Sequence, residues 1–101
     1  MTQYTLMDGE AQNAAHPTTF QIPSREERLN LRPGDLAKVV FKPTNGRGPS
    51  ERMWVKITEV PEPGKYVGTL DNDPTNSNLG IRFKSTVEFE ALHVIQLHMV
   101  T

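Results

Sequence analysis

The chain has 101 residues, 36% hydrophobic and 23% charged, and a net charge of −1 from 11 Lys and Arg against 12 Asp and Glu. That is one domain, able to bury about two-thirds of its unfolded surface around a single modest core, and it is neither a disordered polyelectrolyte nor a membrane span. Near-neutrality lacks the basic excess usual in a nucleic-acid binder, and the absence of cysteine excludes disulfides, cysteine zinc sites, iron–sulfur clusters and a thiol nucleophile.

Residues 1–19 form a polar leader without Lys or Arg and without the apolar run that a secretory signal requires. No apolar stretch in the chain approaches the roughly 18 residues of a transmembrane helix, so a soluble cytoplasmic protein with no membrane partner is expected. Within the leader, Asp8 to Ala15 has the alanine and glutamine of a short helix, which Pro17 would end. Residues 20–101 read as a single β-rich domain. Ser24 and Glu27 have the spacing of a capping box, predicting one or two helical turns up to Leu29 before Pro33 and Gly34 stop them.

Strand patterns then dominate. In Leu36 to Lys42, Ala37, Val39 and Phe41 share one face and Lys38 and Lys42 the other. In Met53 to Val60, Met53, Val55 and Ile57 oppose Trp54, Lys56 and Thr58. Lys65 to Leu70, Thr86 to Glu90 and His93 to His98 complete the predicted set. Between them lie a polar loop (Pro43 to Ser50), a tight turn (Pro61 to Gly64) and a turn-rich segment (Asp71 to Asn78). The expected fold is mainly β (α+β): a small antiparallel, partly closed barrel-like sheet of about five strands with one or two short N-terminal helices.

Catalytic and metal patterns fit poorly. A calcium loop opening at Asp71 would need Gly at its sixth position and Glu at its twelfth, where the chain has Asn76 and Arg82. Asp71 and Asp73 before Pro74 serve a turn more readily than a metal, so no metal site or cofactor is expected. If His93 to His98 were one strand, its two histidines would lie on opposite faces and could not share a ligand. No serine sits in a nucleophile elbow, and the Gly46-Arg-Gly48 pair lacks the spacing of a phosphate loop.

The segment Glu51-Arg-Met-Trp54 carries the most information. Alternation places Arg52, Trp54 and Lys56 on one strand face, either packed beneath the leader, with Arg52 stacked or paired to a carboxylate, or exposed as a recognition patch. A nucleic-acid version would stack bases on Trp54 beside Lys38, Arg52 and Lys56. If the hairpin centres near Glu62 and Pro63, Trp54 falls opposite Asp71 and Arg52 opposite Asp73, which predicts an Arg52–Asp73 contact.

The phrases TFQIPS (Thr19 to Ser24), LRPGDLAKVVF (Leu31 to Phe41), ERMWVKITEV (Glu51 to Val60), GTLDNDP (Gly68 to Pro74) and VEFEALHVIQL (Val87 to Leu97) resemble the bacterial family of domains of unknown function that includes YegJ-like proteins. ERMW and LDNDP are the sharpest pieces of that resemblance. It implies a small stand-alone domain, with relatives among candidate immunity proteins of toxin systems, and brings no catalytic activity or cofactor. Thr75 to Asn78 departs from it, since apolar or aromatic residues are expected after the proline. The reading is a non-catalytic protein-binding module, a monomer or weak homo-oligomer. Its candidate binding residues are Arg52, Trp54, Asp71, Asn72, Asp73 and Pro74, with Lys38 and Lys56 as secondary ones. A nucleic-acid-associated barrel is the alternative, and a hydrolase using Asp71 and Asp73 ranks last.

Overall fold

The structure, a computed structural model, describes residues 3–100. Six strands form one curled antiparallel sheet: β1 (Tyr4–Leu6), β2 (Leu36–Pro43), β3 (Glu51–Glu62), β4 (Lys65–Leu70), β5 (Thr86–Glu90) and β6 (Gln96–His98). Spatial order is β1-β2-β3-β4-β5, and β6 also pairs with β2, so the sheet is a half-barrel of five strands with a sixth added. Two short helices, α1 (Gly9–Ala15) and α2 (Arg25–Leu29), lie between β1 and β2.

The alternation predicted for β2 and β3 sets the core. Ala37, Val39 and Phe41 meet Met53, Val55 and Ile57 on the concave face, all almost fully buried. Tyr66, Leu70, Val87 and Phe89 continue that layer across β4 and β5, while Leu31, Leu79 and Val94 close it from the connections. The two helices begin where the sequence places them. Asp8 accepts from the Ala11 N–H as the cap of α1, and Ser24 and Glu27 form the reciprocal capping box of α2.

Three local expectations change. The polar leader contributes a strand: β1 pairs with β2, and the Tyr4 ring meets Phe41 edge-on at 5.0 Å. Three residues are too few for alternation to register as a strand signal. His93 to His98 is not one strand, because Ala91–His93 forms a 3-10 turn and only Gln96–His98 pairs. A strand-parity argument for His93 and His98 therefore does not apply. The third change concerns the hairpin joining β3 to β4, which turns at Pro63 and Gly64, with Gly64 at φ 80, the residue order of a type II turn. That turn does not match the strand twist by itself, and two register shifts between Ile57 and Glu62 absorb the mismatch.

Arg28 ties the helical layer to the sheet. The residue is 5% exposed, and its guanidinium donates to the carbonyls of Pro23 and Ala91 and to Glu10 at 2.6 Å. Its own carbonyl accepts the Tyr66 hydroxyl at 2.6 Å. Burial of that phenol raises its pKa above the ordinary tyrosine value.

Candidate functional site

The convex face of β2, β3 and β4 brings the sequence-predicted residues together. In register across the strands lie Gln96, Lys38 and Trp54, with Asp71 beside them just beyond β4. A neighbouring row holds His98, Leu36, Lys56 and Thr69. Trp54 is half-buried, and the Lys38 ammonium sits 4.9 Å from the centre of its ring. The contact is a cation–π interaction that also holds the lysine stem against the indole.

Arg52, one step along β3, is exposed and lies 5.5 Å from the ring centre of Phe20. The segment that follows the leader thus covers the Arg52 end of this face and stops short of enclosing Trp54. The predicted Arg52–Asp73 contact does not form. Among the described residues the ion pairs are Arg25–Glu10, Arg28–Glu10 and Lys65–Glu62. Phe20 offers the guanidinium a π partner, while an ion pair with the exposed Asp73 would gain little in water.

Trp54 and the Asp71–Pro74 turn form one backbone unit. The Trp54 N–H donates to the Asn72 side-chain carbonyl at 2.6 Å, and the Asp71 N–H donates to the Trp54 carbonyl at 2.9 Å. Asn72 thereby extends the pairing of β3 past the end of β4, a side chain doing what a strand backbone would do. Asp71 and Asp73 remain exposed, while Pro74 is half-buried. No group of three or more metal-ligating side chains occurs among the described residues.

Two residues that sequence reasoning left without a role fix the far side of this turn. Glu51 accepts from the Thr75 N–H at 2.9 Å, the Thr75 hydroxyl at 2.9 Å and the Asn76 N–H at 2.9 Å. Burial pushes the Glu51 carboxyl up, but these donors outweigh it and hold the pKa below the usual value. Asn76, itself buried, donates to the carbonyls of Arg47 and Pro49 and accepts from the Asn78 N–H. The polar run TNSN is thus the clamp between the two long loops. The available signal was an Asn at the start of a short turn, a residue type that bonds its own neighbouring backbone.

Comparison with protein-family models, with curated proteins and with solved structures returned no match.

Proposed function

We propose that this domain is a non-catalytic protein-binding module whose contact surface is the convex face around Trp54, with Lys38, Arg52, Lys56 and the Asp71–Pro74 turn. The observation that carries this reading is the union of a half-buried indole with a turn hydrogen-bonded to its own backbone. Tryptophan and arginine are the side chains most enriched where truncation weakens protein association, and a pre-set backbone lowers the entropy lost on binding. Lys38, Arg52 and Lys56 take part in no ion pair among the described residues, so their charge is available to a partner.

Mixed charge favours a protein over a nucleic acid. Asp71 stands beside Trp54, where a phosphate backbone following stacked bases would meet a carboxylate, and Lys38 already occupies part of the ring face. A photo-crosslinking side chain at position 56 in the producing cell tests the reading. The expected product is a discrete protein adduct that Trp54→Ala and Arg52→Glu both diminish. Recovery of nucleic acid instead, with low-salt binding to single-stranded DNA or RNA that falls steeply as salt rises, would establish the alternative.

A further inference from the structure

The half-barrel does not close. Among the described residues β1 pairs only with β2 and β5 only with β4, which leaves the outer edge of β5 without a strand there. The hydrogen bonds fix which groups point there. The Ser85 carbonyl and the Ala91 N–H engage β4, accepting from Leu70 and donating to Gly64. By the alternation of an antiparallel ladder, the even-numbered residues Thr86, Glu88 and Glu90 turn their N–H and C=O groups to the open edge. Of these, the Glu90 N–H is already used, donating to Nδ1 of His93 at 3.0 Å. The imidazole ends the open stretch at that point and leaves Thr86 and Glu88 as its usable length.

Side chains define what fits beside it. Thr86, Glu88 and Glu90 are exposed, and neither glutamate joins an ion pair among the described residues. Burial raises the pKa of the Tyr4 phenol on β1, and the Glu88 charge adds to that shift. A second copy of the chain is a poor occupant. Antiparallel pairing of β5 with itself, centred on Glu88, sets Glu88 against Glu88 and Thr86 against Glu90, which is like-charge opposition at the central pair. Charge complementarity selects a basic strand.

We propose that the free edge of β5 receives an extended segment of a partner protein, carrying Lys or Arg at alternate positions, as an added strand bonded to Thr86 and Glu88. This is recognition by strand addition, in which main-chain bonds supply affinity and the alternate side chains supply specificity. It uses the backbone edge of β5, where Thr86 ends the row of Lys56 and Thr69, and it does not rest on the Trp54 reading.

The full chain is titrated with a short peptide alternating lysine and threonine, and amide hydrogen exchange is read residue by residue by NMR. Exchange at the Thr86 and Glu88 N–H groups should slow by roughly tenfold or more at saturating peptide. An analogue methylated at alternate peptide nitrogens should have no effect. Glu88→Lys, at an exposed position, should weaken the lysine peptide by roughly fivefold and bind a glutamate–threonine peptide in its place. Unchanged exchange at both amides, equal effect of the methylated analogue, or equal binding of the acidic peptide to the unaltered chain would each overturn the proposal. Slow exchange at these amides that depends on protein concentration without peptide would overturn it too, in favour of self-pairing.

Discussion

Glu51 shows how one side chain can organise a surface without touching any ligand. Its carboxylate gathers two backbone N–H groups and a hydroxyl from the Thr75–Asn76 step, and so sets where the preceding Asp71–Pro74 turn lies against Trp54. Because these donors leave its folded-state pKa below the ordinary 4.5, the ionised form carries the stabilisation. That contribution is complete above pH 4.5 and is lost as pH falls through the lower folded-state value. Glu51→Gln keeps one acceptor oxygen and loses a charge that solvent screens in part, so it should cost about 1 kcal/mol or less at neutral pH and flatten the acid limb of stability. Urea midpoints for both chains between neutral pH and the acid transition check this, and parallel curves would refute it. In the sequence Glu51 only opens the ERMW segment, ahead of the strand predicted from Met53, because its partners lie more than twenty positions away and no periodicity reports them.

At the scale of elements, β3 and β4 depend on a close approach. Gly68 faces Ile57 in the ladder, where a Cβ would sit against the Lys56 carbonyl and within 2.7 Å of a Val55 methyl group. Gly68→Ala forces backbone apart in the middle of the sheet, and a loss of about 3 kcal/mol is expected. Chemical denaturation of the variant measures it, with a shift under about 1 kcal/mol counting against the close approach. The β4 boundaries themselves were legible, since KYVGTL lies between a Pro-Gly turn and an Asp-Asn run. β5 was equally legible from TVEFE, and α2 from its capping box. The legible elements share a property: their signals are local, residing in side-chain alternation, caps and turn residues. β1 and β6 are three residues each and are strands only because β2 offers a partner edge at both ends.

The whole molecule is held together where helices meet sheet, and Arg28 is the joint. Its guanidinium links Glu10 of α1, the Pro23 carbonyl before α2 and the Ala91 carbonyl after β5, while its carbonyl receives Tyr66 from β4. Arg28→Ala leaves two carbonyls and a carboxylate to find new partners, and a destabilisation of about 3 kcal/mol is expected. Glu10→Ala should cost less, about 1 kcal/mol, because the Glu10 side chain is 35% exposed and its loss leaves Arg28 with both carbonyls. Thermal or urea unfolding of the pair gives the ranking, and equal losses would place the joint elsewhere. Arg28 reads in the sequence as one more surface charge of a short helix. The amino-acid sequence by itself determined the mainly β class, the concave core of β2 and β3, the two helix starts and the gathering of Lys38, Trp54 and Lys56 on one face, because each follows from side-chain period or from a cap within a few residues. Only the tertiary structure decided that Arg52 lies by Phe20 instead of Asp73, that Glu51 and Asn76 clamp the turn, that the leader supplies a strand, and that β5 keeps an open edge. Those outcomes depend on competition between partners distant along the chain, and spacing in one dimension does not encode which partner wins.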